Sequence, residues 1–377
     1  MKKFEINQVS ILIIIFVVCA VPSVFSQIYV KADAGGMNNG SSWMNAFINL
    51  QDALASASAG DTIFVAEGTY YPDKGDGLTQ GDRNTSFQLK SGVVLLGGYK
   101  GSEEFQGMFY NKYWRNWQNN KTILSGDLLG NDNDNISPDE PTRSDNSLHI
   151  LFSSAPVDST AELNGFYIEG GNANSTDGFP GAHGGGIYLS NSTMQIKNCT
   201  FSNNTALESG GAIFANSGAI KLKFTAFINN MSNTGAGISI YGADNLDNPN
   251  LPAIVNSFFY NNHAVDEGAG IYIANAANVS ILNSVFTGNT LSGTNSSGAG
   301  IYTDNKSYPA IANCTFYNNT SVSSGGGVTL SAGRIGNSIF KGNSASANSQ
   351  INIEGAPANS TVFREFMYSI IEGGFQG

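Results

Sequence analysis

The sequence predicts an all-β chain wound as a single-stranded parallel β-helix, and three observations predict it. A triplet of small residues followed by Ile or Val recurs six times, at 184–187, 210–213, 235–238, 268–271, 298–301 and 325–328. A second motif, Phe-x-x-Asn, also recurs six times, as Phe201/Asn204, Phe227/Asn230, Phe259/Asn262, Phe286/Asn289, Phe316/Asn319 and Phe340/Asn343. The two motifs alternate strictly, and the aliphatic residue of the first advances by 26, 25, 33, 30 and 27 residues. A unit of this length cannot bury its own apolar side. Stacking equivalent units in register does so, which gives a solenoid.

Aligning the repeats on the Phe makes each column chemically uniform. Five residues earlier stand Ile196, Leu222, Ile254, Ile281, Ile311 and Ile335. Three earlier stand Asn198, Phe224, Asn256, Asn283, Asn313 and Asn337, and two earlier are the small residues Cys199, Thr225, Ser257, Ser284, Cys314 and Ser338. Segments such as Ile271-Tyr272-Ile273 alternate with period two, the strand period. About three short strands and three turns per coil are expected, with a Phe stack, an aliphatic stack and Asn ladders running along the axis. Asn suits the turns because it tolerates left-handed backbone, and its amides can hydrogen-bond from coil to coil. Composition agrees: the chain holds 45 Gly and 45 Asn, both poor helix formers.

In chain order, Lys2 and Lys3 precede an apolar run from Ile11 to Val21, with Val24 and Ser26 placed for cleavage before Gln27. Residues 1–26 therefore read as a signal peptide and 27–377 as the mature β-helix, with no further transmembrane segment. The spacing of Trp43, Phe47, Leu50, Leu54 and Ala57 predicts one amphipathic helix over 42–57, a plug over the first coil. Irregular early strands are expected at 61–71, 85–99, 122–127 and 148–152, and regular coils over 161–343. Near the end, Ser369-Ile370-Ile371-Glu372-Gly373-Gly374 repeats the pattern of Phe166-Tyr167-Ile168-Glu169-Gly170-Gly171. A new coil is expected there, as in a fragment of a longer surface protein.

Candidate chemistry is sparse. Charged residues are 12% of the chain and the net charge is −11, which excludes a nucleic-acid partner that would need a basic face. The residues after the first-strand aliphatics are Tyr188, Phe214, Ser239, Tyr272, Tyr302 and Thr329. Alternation turns them outward, so Tyr188, Phe214, Tyr272 and Tyr302 form a broken exposed stripe suited to a sugar or protein partner. The acidic stretch with Asp127, Asp132 and Asp134 is rich enough in carboxylates for calcium, although it lacks the glycine of an EF-hand loop. Catalytic chemistry on a polysaccharide would need paired carboxylates or a basic residue beside acidic ligands. The repeat alignment shows only Glu208 and Asp266, two coils apart, and His149, His183 and His263 at non-equivalent positions. No catalytic residue and no cofactor other than calcium is expected. Cys199 and Cys314 share a repeat position four coils apart, roughly 19 Å at about 4.8 Å per coil. That is too far for a disulfide, so both are expected to be buried thiols.

The Gly-Gly-Ala-Ile at 210–213 and the Phe-x-x-Asn copies resemble the repeat of polymorphic outer-membrane proteins, a family of bacterial surface adhesins. The run from Ile28-Tyr29-Val30-Lys31 through Gly60-Asp61-Thr62-Ile63 resembles the opening of secreted pectate-lyase-like proteins, which implies a right-handed parallel β-helix. Together these imply a secreted or cell-surface bacterial protein, used without catalysis for adhesion or for contact with a glycan or a protein of a host or neighbouring cell. The other expectation is a polysaccharide lyase or glycoside hydrolase.

Overall fold

A computed structural model describes residues 26–103, 114–177, 179–242, 253–275, 277–354 and 364–373. The expected leader lies outside these residues apart from Ser26. Among the described residues the strands form four sheets of eleven, ten, nine and five strands, here called the first, second, third and fourth. All pairing between them is parallel; for example Ile187 pairs with Ile213, Ile196 with Leu222, Phe201 with Phe227 and Asn172 with Thr205. One coil visits the third, first, second and fourth sheets in turn, through Ile187–Ser190, Gln195–Lys197, Thr200–Ser202 and Thr205–Ala206. The fourth strand is one more than the sequence suggests. In three of its five coils it is two residues long, too short for alternation to register.

The interior follows the predicted columns. Phe201, Phe227, Phe259, Phe286, Phe316 and Phe340 pair in register on successive coils and are fully buried. Their rings stack with centroids 4.5–5.2 Å apart and planes within 9°. The aliphatic column of the first sheet continues below the regular repeats as Leu163, Leu95, Ile63 and Ile28. Burying a side chain of this size contributes about 1.5–3 kcal/mol, so a run of such columns offsets the entropy of ordering short strands.

The asparagines divide into separate tasks. The position three before the Phe and the position two after it take left-handed backbone, with φ of 48–56° at Asn198, Asn203, Asn229, Asn256, Asn261, Asn283, Asn313, Asn318 and Asn337. The asparagine three after the Phe is instead a buried ladder. Asn262 Nδ2 donates to Asn289 Oδ1 at 2.9 Å and to the Phe227 carbonyl at 3.0 Å. Its Oδ1 accepts from the backbone and side-chain nitrogens of Asn230, at 3.1 and 2.9 Å. The same links join Asn204 to Asn230, Asn289 to Asn319 and Asn319 to Asn343, and the last amide donates to Gln350 Oε1 at 2.7 Å. Each amide in the middle of the row thereby fills both donors and both acceptors. Phe224 and Tyr368 are exceptions among the turns: they hold φ 55° and 49° at an asparagine position, with Phe224 half exposed and Tyr368 exposed. Left-handed backbone is unfavourable for such a side chain.

The N-terminal helix is shorter than the apolar spacing implies. Helix α1 covers Leu50–Ser56, and Leu50, Ala53, Leu54 and Ala57 join the main core, so it still plugs the end of the solenoid. Residues 42–49 are not helical because their backbone is used elsewhere. Phe47 donates to the Tyr29 carbonyl and accepts from Lys31, both at 2.8 Å, as a strand neighbour would. At the other end Ile370–Ile371 pairs with Ile339 and Phe340, the expected next turn of the coil.

Cys199 and Cys314 are free and buried, and burial pushes both thiols up to about 11. Each Sγ donates to the carbonyl two residues earlier, at 3.1 and 3.3 Å, the bond that the Ser257 and Ser284 hydroxyls make at 3.1 and 2.8 Å. The thiols thus serve as isosteres of the repeat's serine.

Four outcomes follow. Phe286→Ala should lose about 3–5 kcal/mol in a denaturant titration; a loss below about 1 kcal/mol would contradict the stack. Asn262→Asp keeps the shape but removes two donors and buries a charge, so it should lose about 3 kcal/mol, while a neutral effect would remove the ladder from the account. Phe224→Asn should stabilise by roughly 0.5–1 kcal/mol by relieving left-handed strain, and a destabilised variant would contradict this. A chain of residues 27–377 should titrate two thiols when denatured without reductant and none rapidly when native; a chain with no thiol when denatured would mean a disulfide.

Candidate functional site

The outer face of the third sheet carries the densest set of side chains able to meet a ligand. Alternation buries Ile187 and Leu189 and turns Tyr188 out, and register repeats this on each coil. The rings run Phe152, Tyr188, Phe214, Tyr241, Tyr272 and Tyr302, with successive centroids 5.1–5.5 Å apart. The sequence stripe appeared broken at Ser239. Tyr241, two residues further along the same strand and on the same face, closes the gap, and Phe152 adds a ring below Tyr188. Both follow the same alternation, Tyr241 two residues along the strand and Phe152 one coil earlier in the column.

The stripe is not the exposed platform that alternation alone implies. Tyr188 and Phe214 are each only 3% exposed. The loop after the strand Asn172–Ala173 lays Phe179 across them, 5.5 and 5.8 Å from their ring centres, and the His183 ring stands 4.6 Å from Phe214. Tyr272 and Tyr302 are half-buried and stack within 3° of parallel. Stacked rings use their faces on each other, so the row offers ring edges and hydroxyls. Burial raises the Tyr188 hydroxyl to about 12 and raises Tyr272 and Tyr302 as well, which keeps all three as protonated donors.

At the C-terminal end of the row two carboxylates meet one hydroxyl. Tyr302 Oη donates to Glu354 Oε2 at 3.4 Å. Burial raises the carboxyl of Glu354 above the usual range, and it raises Glu267 likewise, with the negative charges of Glu354 and Asp266 adding to the effect on Glu267. Sequence alignment passed over both. Glu354 lies after the regular repeats, and Glu267 reads as an ordinary loop acid. Glu267 nevertheless occupies the position just before the small triplet, the column of His183, Ser209, Thr234, Ser297 and Ser324, several of which bridge in parallel.

At the N-terminal end a cleft of about 330 Å³ opens between 84–88, 148–152 and 175–181. His149 lines it; its Nδ1 donates to the Gly184 carbonyl at 3.0 Å, and burial lowers the ring to about 4, so it is neutral near pH 7. His183 Nε2 lies 3.5 Å from Glu208 Oε2, and burial lowers its pKa against the pull of Glu208. His263 is remote from both in the repeat and bonds Thr290 at 2.9 Å. Among the described residues no three His, Cys, Asp or Glu side chains converge as metal ligands do. In the acidic stretch expected to suit calcium, the Asp127 carboxylate accepts from the backbone of Gly130, Asn131 and Asp132, Asp132 pairs with the buried Arg143 at 2.9 Å, and Asp134 is exposed.

Among the described residues no strand of the third sheet contains a Lys or Arg. Basic residues lie on the first sheet instead, where Lys197 pairs in register with Lys223, and Gln195 with Lys221. A second face that sequence reading missed is the outside of the second sheet, where Phe258, Tyr260, Tyr317 and Ile339 are all exposed.

The family model described as "Right handed beta helix region" matches residues 185–364. The chain is therefore a right-handed parallel β-helix, as the sequence predicts. Similar solved structures include a rhamnogalacturonan lyase, at 13% identity over 93% of this chain and 88% of that one, with a TM-score of 0.42. Pectate lyase Pel9A is similar at 13% identity over 92% and 78%, with a TM-score of 0.43. PfbA, a surface adhesin of Streptococcus pneumoniae, is similar at 12% identity over 85% and 74%, with a TM-score of 0.38. No curated protein sequence matches. Among the described residues no helix is long and apolar enough to cross a membrane.

The acid pair gives a pH prediction. A carboxyl whose folded pKa lies above its unfolded value adds stability that is complete below the unfolded value and is lost as pH rises through the folded one. Glu267 and Glu354 therefore destabilise the fold near neutral pH. A Glu267→Gln/Glu354→Gln chain should melt higher than wild type near neutral pH and show no advantage at acidic pH. A variant that melts lower near neutrality would contradict the burial of the pair.

Proposed function

We propose that this right-handed β-helix is a secreted or surface-displayed bacterial protein that contacts neutral glycans through the outer face of its third sheet, without turning them over. The observation that carries the reading is the composition of that face. Beyond the two rings that Phe179 covers, Tyr241, Tyr272 and Tyr302 present ring edges and phenol hydroxyls bordered by Glu267 and Glu354, and among the described residues no strand of that sheet holds a Lys or Arg. Protonated hydroxyls and carboxylates match the mixed donors and acceptors of uncharged sugars. A uronate polymer would meet like charge there, with no cation to offset it. The leader at 1–26 supports export, and the resemblance of the repeat to surface adhesins supports display on the cell. The reading invokes no cofactor.

One observation favours hydrolysis instead: Glu267 and Glu354, both raised toward the protonated state, flank the Tyr302 hydroxyl. General acid chemistry on a glycosidic bond uses such a carboxyl. Applying residues 27–377 to a glycan array, with parallel assays of the bound glycans for new reducing ends, decides between the two. Retention of neutral glycans without cleavage supports the contact role. New reducing ends that vanish in Glu354→Gln would establish the hydrolase. Release of unsaturated uronates from pectin, with or without calcium, would overturn both.

A further inference from the structure

The aromatic row ends abruptly at its N-terminal side. In the third sheet Phe152 pairs in register with Tyr188 above it, but with Gln88 below. The lowest ring of the stack thus has an amide, not another ring, beneath it in the column. The cleft of about 330 Å³ opens at this break, and Gln88, Phe152, His149 and Phe179 all line it.

The polar part of the lining is almost uncharged. The Gln88 Oε1 is buried and has no hydrogen-bond partner. His149 gives its Nδ1 hydrogen to Gly184, which leaves the other ring nitrogen of the neutral imidazole an acceptor. The Asp177 carboxylate stands at the rim. Asn84, Ser86 and Ser175 add neutral groups that both donate and accept, and no Lys or Arg is among the lining residues. An uncharged site of mixed donors and acceptors, in which the Gln88 carbonyl is buried and unpaired, calls for a ligand rich in hydroxyl groups. The walls are apolar. Phe179 is 56% exposed, the largest solvent-facing ring beside the row, and Phe152 faces the break. Flat apolar walls with a few convergent acceptors describe a sugar-ring site, and the volume is at the small end of the roughly 300–1,000 Å³ range for ligand clefts.

We propose that this cleft, between Phe152, Phe179 and Gln88, holds a single neutral sugar residue of a bound glycan, with the rings as walls and the Gln88 carbonyl and His149 as hydroxyl acceptors. This rests on the reading that the third-sheet face contacts glycans, and it assigns the anchoring point to one end of the row. It also gives a use to the loop that covers Tyr188 and Phe214, since that loop carries Phe179.

Saturation-transfer NMR on residues 27–377 tests it. The probes are the methyl glycosides of glucose, galactose, mannose and N-acetylglucosamine, with methyl galacturonide as the anionic comparison. At least one neutral glycoside should receive saturation and the galacturonide none. Phe179→Ala and Gln88→Leu, checked for wild-type melting, should each weaken that binding by about tenfold or more. Tyr317→Phe, on the outer face of the second sheet, should leave it unchanged. If a neutral glycoside binds and neither variant weakens it, the cleft assignment is wrong while the glycan reading stands. If the array retains neutral glycans but no monosaccharide binds, the cleft assignment is again wrong. If the array also retains nothing, both fall. Stronger binding of the galacturonide would overturn the assigned ligand class.

Discussion

A buried amide must find partners for two hydrogens and two lone pairs, and this requirement sets the geometry of the whole solenoid. The apolar columns alone would not. A Phe stack gains nearly the same contact energy if a coil slips slightly or bulges, because dispersion is undirected. The Asn204 to Asn343 row permits no such slack. In the middle of the row each Oδ1 receives two hydrogens from the coil before it, and each Nδ2 reaches one coil forward and one coil back. A shift of one residue would leave those groups unpaired in the core, at about 1–3 kcal/mol each. The polar row therefore fixes register, and the apolar columns supply the bulk of the stabilisation.

Register fixed on the inside is also register fixed on the outside. Side chains alternate across a strand, so a column that aligns Ile187, Ile213 and Ile238 inward must align Tyr188, Phe214 and Ser239 outward. The aromatic row, the hydroxyl column beside it and the Glu267–Tyr302–Glu354 contact are consequences of that alignment. Insertions that lengthen a coil emerge at the turns and leave the columns unbroken. The loop bearing Phe179 shows what such an insertion can do: it covers two rings of the row and forms one wall of the cleft, while Tyr188 still pairs with Phe214 beneath it.

Much of this was legible in the sequence, because each stacked column repeats one residue type. The Phe and Ile columns, the free cysteines and the left-handed asparagines followed from counting positions. Less legible was the division of labour between adjacent asparagines: Asn203 turns the chain and Asn204 bonds along the axis, yet the two read alike. The helix was overdrawn because Phe47 has helical spacing but sheet-like hydrogen bonds, and only tertiary contact decides between those. The exposure of Tyr188 was misjudged because its cover comes from a single non-repeating loop. The pairing of Glu267 with Glu354 depends on a coil outside the regular series, which repeat alignment does not reach.

The claim at the centre of this account is that the amide ladder opens only when the solenoid unfolds. Native-state hydrogen exchange reads it directly, at the backbone amides of Asn204, Asn230, Asn262, Asn289 and Asn319. Each of these donates to the side-chain oxygen of the next coil's asparagine at 3.0–3.1 Å. The account predicts that these amides exchange with one common free energy, equal to that of global unfolding measured by denaturant. Exchange of any central member through a local opening, well below that free energy and ahead of the Phe strands beside it, would contradict the ladder as the element that fixes register.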